Sequence, residues 1–314
     1  MTIRLSSRHG AGLLACAVLA TLAPAPASAQ LWSWTKEQMT EYTKAWTGDR
    51  FPDGRPKVPD AQLQRAREMS SEEILVAGGG GGGGRGGGGG GYSQYADGWM
   101  LTQPGKKMVG RVFTVQFMPA RADIDAVVNA KAKEKGVQML NNQYALDQLQ
   151  PGDVLVVDLF GKKEGGTIVG DNLFYYVKKA THDGGMVIDG AIRDLEGIAE
   201  MGMPAYVRTV HPSAISGATL TGVNIPIRIG NVTVMPGDIA VGDREGVTFI
   251  PPQALADILD RADTTHVHDE WTRKKFDEGK YKSSEIYGSP KDPALQKEYA
   301  EYLKKRLEEI HNKK

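Results

Sequence analysis

The chain has 314 residues, enough for one substantial domain with extensions or for two modest ones, and its 38 Lys and Arg are balanced by 38 Asp and Glu. A net charge of zero leaves no global basic field to recruit nucleic acid or an anionic membrane. The one cysteine, Cys16, lies in the first thirty residues, so a chain without them could form no disulfide, no thiolate zinc site and no cysteine nucleophile.

In chain order, Arg4 and Arg8 form a positive start, 11–22 is apolar, and Ala27-Ser28-Ala29 is a small-x-small cleavage site. Residues 1–29 therefore read as a secretory signal peptide, which predicts a periplasmic or secreted product with no membrane attachment after cleavage. An uncleaved anchor is the alternative, against which the apolar run is short and ends in Pro24 and Pro26. Residues 30–77 read as a polar, partly helical N-terminal extension with Trp32, Trp34, Tyr42 and Trp46 as apolar anchors. A turn-rich piece over 49–59 precedes a helix expected over 61–76, with Ser70 to Glu73 as a cap region. Residues 78–91 are glycine except Arg85, a flexible linker without the Lys-Ser/Thr of a phosphate loop.

A main domain is expected over 92–260. Strands are predicted over 109–117, 154–159, 185–188 (closing in a turn at Asp189-Gly190), 205–209, 225–229, 232–234 and 247–250. Helices are predicted over 122–136, 172–181 and 195–201, and a further helix begins at 254. This alternation argues an α/β core. Residues 261–314 read as a helical C-terminal extension, where Leu295, Tyr299, Leu303, Leu307 and Ile310 make one helical face for the core or a neighbouring subunit.

Two segments carry candidate chemistry. In 165–173 a glycine-rich turn runs into a helix, where free N–H groups favour an anion; Asp171 could cap that helix or reach into a site. In 187–194 a buried strand leads to Arg193-Asp194. Ligand sites in open α/β folds lie at strand carboxyl ends. Arg suits a carboxylate, and Asp suits a hard cation. A surface ion pair is the plain alternative. His266, His268, Asp269 and Glu270 imitate a metal cluster but fit a solvated helix as well. Lys178 and Lys179, the lysines weighed for a Schiff base, are adjacent on a helix and read as solvated.

Gly170-Asp171-Asn172-Leu173 followed by Asp189-Gly190-Ala191-Ile192-Arg193-Asp194 resembles the signature of the RraA-like family. That family holds the 4-hydroxy-4-methyl-2-oxoglutarate (HMG/CHA) aldolases, which are class II pyruvate aldolases, and the regulators of RNase E. The likeness continues through Pro151-Gly152-Asp153, His211-Pro212-Ser213, Val234-Met235-Pro236-Gly237-Asp238 and Gly246-Val247-Thr248. It spans roughly 105–260, and the region around Asp49 to Val58 is similar to the N-terminal extension of secreted members. The resemblance implies a compact layered α/β sandwich of the swivelling phosphohistidine-domain type, with helical N- and C-terminal extensions. It implies a homotrimer or hexamer with sites between subunits.

The resemblance also implies roles. Asp194 would ligate Mg²⁺ or Mn²⁺, and Asp171 would hold a water on it. Arg193 would bind the carboxylate or keto oxygen of a pyruvyl group. Substrate binding would also draw on Gly170 and Asp171, with the amides of Asn172 and Leu173 cradling the pyruvyl carboxylate. The expected reaction is cleavage of a small 4-hydroxy-2-oxo acid to pyruvate, with oxaloacetate decarboxylation through the same enolate. The Asp171–Arg193 spacing is one residue longer than in the aldolases, and the extra residue is expected in the 181–184 loop. The alternative is a non-catalytic protein-interaction or small-ligand-binding module outside the cytoplasm. Some relatives are labelled methyltransferases, but no nucleoside-binding glycine motif supports that chemistry here.

Overall fold

A computed structural model describes residues 33–79, 94–134, 136–137 and 142–312. The segment read as a signal peptide, Trp32 and nearly all of the glycine run lie outside them. Ahead of the main sheet come the helices α1 (Lys36–Tyr42), α2 (Asp60–Glu68) and α3 (Ser71–Ala77) and the short strands β1 (Tyr95–Ala96) and β2 (Met100–Leu101). The central run is β3 (Met108–Pro119), α4 (Ala122–Glu134), α5 (Asn142–Leu146), β4 (Asp153–Asp158), α6 (Asp171–Thr181), β5 (Met186–Ile192), α7 (Leu195–Met201) and β6 (Ala205–Val210). There follow β7 (Ala218–Val223), β8 (Ile227–Ile229), β9 (Val232–Val234), β10 (Ile239–Gly242), β11 (Val247–Ile250), α8 (Leu255–Asp277), α9 (Ser283–Ile286) and α10 (Pro293–Asn312). Among the described residues no helix is long and apolar enough to cross a membrane.

The main sheet runs β1-β11-β10-β3-β4-β5-β6-β2, with β7 paired to β3. Strands β3 to β6 are parallel, so their carboxyl ends share one edge. Side chains alternate across the pleat, and both faces are apolar. Leu155 and Val157 join Phe174, Val177 and Ile198 under α6 and α7. Val154 and Val156 join Ile227, Ile229, Val232 and Val234 of the β8–β9 ribbon. At the β10–β11 end the helical face continues, with Val109, Ile239, Val241 and Ile250 packed against α2, α3 and α8. The result is the layered α/β sandwich expected: a helical layer, the sheet and a small β ribbon, with a helical C-terminal extension.

Several expectations are corrected. The helix expected over 61–76 is two, because Ser70 stops the first and starts the second. Its hydroxyl accepts the Glu73 N–H while Glu73 takes the Ser70 N–H, a capping box. The boundary at 260/261 falls inside α8, which runs unbroken to Asp277. That helix carries Leu255, Ile258 and Leu259 onto the sheet and Trp271 into a separate cluster with Ile286 and Leu295. Residues 225–229 form a strand only from Ile227, and β7 and β10 were missed. Asp189-Gly190 is not a turn: β5 continues to Ile192 with an irregularity in its pairing to β6. Gly190 serves close packing, since a Cβ there would lie 2.9 Å from two Leu159 carbons.

The N-terminal segment is tied into the core. The fully buried Arg55 guanidinium forks onto Asp153 at the start of β4 (2.9 and 3.3 Å) and bonds Asp53 (2.8 Å). It lies 5.1 Å from the ring centres of both Phe51 and Phe113.

Candidate functional site

The functional geometry gathers at the carboxyl end of β5. The loop before α6 runs alongside this strand, with Ala191 N–H donating to Gly166 O (3.0 Å), Ile168 N–H to Ala191 O (3.3 Å) and Arg193 N–H to Val169 O (3.3 Å). This ladder delivers Gly170, the N-cap of α6, against Arg193 and Asp194.

Asp194 is the N-cap of α7, yet it makes no capping bond to its own helix and sits in the left-handed region at φ 60°, ψ 42°. That conformation costs a non-glycine residue about 1 kcal/mol. Its carboxylate instead reaches the neighbouring helix. Oδ2 accepts the Asp171 N–H (3.3 Å) and lies 3.4 Å from Arg193 Nε. A Cβ on Gly170 would lie 2.3 Å from that Oδ2 and 2.9 Å from Arg193 Nε, so the cradle exists only because residue 170 has no side chain. Among the described residues the Arg193 Nη groups and the Leu173 N–H have no hydrogen-bond partner, and Leu173 lies in the first turn of α6, where free N–H groups favour an anion.

Asp171 Oδ1 accepts from the Asn172 N–H (2.7 Å) and Nδ2 (3.1 Å). The Asn172 amide, which the resemblance places in a substrate cradle, is bonded here to its neighbour. The Asp171 Oδ2 has no hydrogen-bond partner among the described residues. The Arg193 and Asp194 side chains are 37% and 45% exposed, so the arrangement opens onto solvent. Structure thus brings Gly170, Asp171, Leu173, Arg193 and Asp194 together.

Two carboxylates and solvent suit Mg²⁺ or Mn²⁺, which take hard oxygen ligands and keep several waters. Asp194, 45% exposed, offers a direct ligand, and the free Asp171 oxygen could hold a water on such an ion. Among the described residues the one group of three metal-type ligands within reach of one another lies elsewhere, at Asp260, Asp263 and His311. A cation already occupies its centre: Arg65 Nη2 is 2.6 Å from Asp260 and 2.5 Å from Asp263. The 266–270 group disperses around α8. His266 bonds Glu73 (2.8 Å), His268 bonds Gly288 O (2.7 Å), and Glu270 bonds Tyr302 and Arg306. Lys178 pairs with Asp183, and Lys179 lies over the Tyr175 ring, both in the last turn of α6.

Sequence reasoning missed how the loop before Gly170 is clamped. Thr167 Oγ1 donates to His211 O (2.9 Å), and Gly165 N–H donates to Ser213 Oγ (2.7 Å), which bonds His211 Nδ1 (2.8 Å). The His-x-Ser spacing was its only trace. Asp189, part of the quoted motif, is bound by Arg208 Nε (2.7 Å), whose guanidinium stacks 3.7 Å from the Trp99 ring. Burial raises the carboxyl of Asp158, its pair on β4, above the ordinary range, and the Asp189 charge adds to the rise.

The parallel-stranded α/β layer thus places Arg193 and Asp194 at one strand end, facing the start of α6. The chain belongs to the RraA-like family, whose Aldolase/RraA model matches residues 87–249. A Halalkalibacterium halodurans protein named "Putative 4-hydroxy-4-methyl-2-oxoglutarate aldolase" is 32% identical over 126 residues, 40% of this chain and 59% of that one. A protein of the same name from Azotobacter vinelandii is 32% identical over 120 residues, 37% of this chain and 71% of that one. The chain spans 59% and 52% of the length of the H. halodurans protein and of an uncharacterised Methanocaldococcus jannaschii relative. Among solved structures, Streptomyces coelicolor RraAS2, described as an unusual member of the RNase ES inhibitor RraA protein family, superposes with a TM-score of 0.57 at 26% identity. The match covers 70% of this chain and 100% of that one. An uncharacterised Pseudomonas syringae protein shares the fold (TM-score 0.56, 22% identity, 72% and 96% covered).

Proposed function

We propose that this chain is a divalent-metal-dependent lyase of the class II pyruvate aldolase type, cleaving a 4-hydroxy-2-oxo acid to pyruvate and decarboxylating oxaloacetate as a side activity. The observation that carries the reading is Asp194, which accepts a left-handed backbone and gives up its own helix cap to aim a carboxylate at Arg193 and the start of α6. Asp171, Asp194 and Arg193 together carry one net negative charge; a divalent cation turns that into one positive charge, matched to an oxo-acid carboxylate.

In this reading Arg193 and the Leu173 amide bind and orient the 2-oxo acid end, and Asp194, with Asp171 beside it, holds Mg²⁺ or Mn²⁺. When bound, the cation polarises the 2-oxo group and stabilises enolate charge. Asp171 Oδ2 takes the 4-hydroxyl proton, directly or through a water. The C3–C4 bond then breaks, C4 becomes a carbonyl, and its electron pair leaves C3 as the enolate that is protonated to pyruvate. Arg193 stabilises that charge. The open face of the site fits completion by a homotrimer or hexamer, and the signal-like N-terminus fits action in the periplasm or outside the cell.

The likeness to RraAS2 over its full length favours a second reading, a non-catalytic interaction module. Pyruvate release from 4-hydroxy-4-methyl-2-oxoglutarate and from oxaloacetate decides between them, measured after EDTA and again with Mg²⁺ or Mn²⁺. Metal-restored turnover that falls on the order of 100- to 1000-fold in Asp194→Ala and Arg193→Ala is expected. A folded, metal-binding protein that turns over neither substrate would sink the lyase reading.

A further inference from the structure

A cavity of about 480 Å³ opens at the amino-terminal edge of the parallel strands. It lies between the N-terminal segment, α2, the start of β3, the turn before β4 and the end of α6. Its walls are strongly cationic: Lys57, Arg67 and Arg111 line it with His182, against the single carboxylate of Asp60.

Arg111 is the built part of this cavity. It is only 4% exposed. Its Nε and Nη2 donate to Val58 O (2.9 and 2.5 Å), and Nη2 also bonds Asp60. Its Nη1 has no acceptor among the described residues. A Cβ at Gly152, whose φ is +82°, would lie 2.7 Å from that Nη1, so glycine leaves the edge of the guanidinium uncovered. Arg67 uses Nη2 on Val109 O (3.0 Å), and Lys57 Nζ lies 5.7 Å from the Phe51 ring centre. Neither has a carboxylate partner among the described residues. Three cations against one carboxylate leave an excess of two positive charges around a space of ligand size.

We propose that this cavity is an anion-binding site for a small, multiply charged metabolite bearing phosphate or several carboxylates. A buried guanidinium edge with a free N–H suits bidentate recognition of such oxygens, and the surrounding charge concentrates anions there. The site is separate from Arg193. His182 and Asp171 stand at opposite ends of α6, 11 residues long, or roughly 16 Å of helix. The inference therefore does not rest on the lyase reading. It also gives the unusual turn after α6 a use: His182 and Asp183 are consecutive non-glycine residues at φ 54° and 64°, and they set His182 on the rim.

The test is calorimetric titration of the full chain with inorganic pyrophosphate, citrate, and NaCl matched in ionic strength. Saturable binding of pyrophosphate, citrate or both is expected, and which of them binds identifies the oxyanion chemistry. Lys57→Gln and Arg67→Gln should each weaken it about tenfold while leaving the melting temperature within a few degrees. Asp194→Ala should leave it unchanged. A response that NaCl reproduces, binding unaltered in the Lys57→Gln/Arg67→Gln double variant, or binding lost in Asp194→Ala would overturn the proposal.

Discussion

At residue 170 one hydrogen in place of a methyl group keeps the Asp194 carboxylate where it is. Gly170 has φ −101°, a value any residue adopts, so its requirement is purely spatial. Gly170→Ala should push Asp194 Oδ2 aside, and because that carboxylate is half exposed the fold should absorb the change within about 1 kcal/mol. We expect Mn²⁺ affinity and turnover to fall at least tenfold with little loss of melting temperature. Undiminished Mn²⁺ binding, followed by paramagnetic relaxation, would show that Asp194 is not the ligand. The motif residues were legible in the sequence because Gly-Asp before a helix and Arg-Asp after a strand each leave a local pattern. The left-handed Asp194 was not, since it depends on a contact with the start of α6, 23 positions away, and the bond from the Asn172 amide to Asp171 was not, since it depends on a side-chain rotamer that residue identity leaves open.

Among the elements, the N-terminal segment departs most from its sequence appearance. Its prolines, glycine and charges read as a polar extension, yet it places a fully buried guanidinium on Asp153. Removing one partner of a buried ion pair strands the other, a loss of about 3–5 kcal/mol. Arg55→Ala should therefore destabilise the protein by that order in urea denaturation, where a loss under 1 kcal/mol would show that Asp153 finds other partners. Most central elements were readable to within a few residues because their apolar periodicity is set by burial, as in β4 and α6. The end of β5 was misread because Asp-Gly ordinarily signals a turn, whereas here Gly190 admits Leu159. Strands β7 and β10 were missed because each is short and carries a glycine, Gly222 and Gly242, beside turn-type residues, a pattern that ordinarily signals a loop.

For the molecule as a whole, the sheet encloses a carboxyl group that should make stability depend on pH. Burial pushes the Asp238 carboxyl up to about 7, against a partly offsetting bond from the Met235 N–H. The unfolded value is near 4. Between about pH 4 and pH 7 the folded chain thus holds a proton that the unfolded chain has released, and this contribution to stability is lost as pH rises through the window. Asp238→Asn keeps an oxygen for the Met235 N–H (2.8 Å in the native chain) and cannot ionise. Its stability should fall less steeply over that range, by up to about 1.4 kcal/mol per pH unit. Equal slopes for the two proteins in urea melts at several pH values would refute this.

The backbone at Asp194 sets two kinds of selection against each other. Glycine would occupy its left-handed position without the steric cost an L side chain bears, so heat challenge alone rewards losing the carboxylate. On the lyase reading, directed evolution of this scaffold for thermal tolerance, run without a turnover screen, would drift toward glycine at 194 and return robust proteins without turnover. The same logic makes residue 194 a marker: among variants or descendants, the identity there separates those still under pressure to react from those kept for their shape.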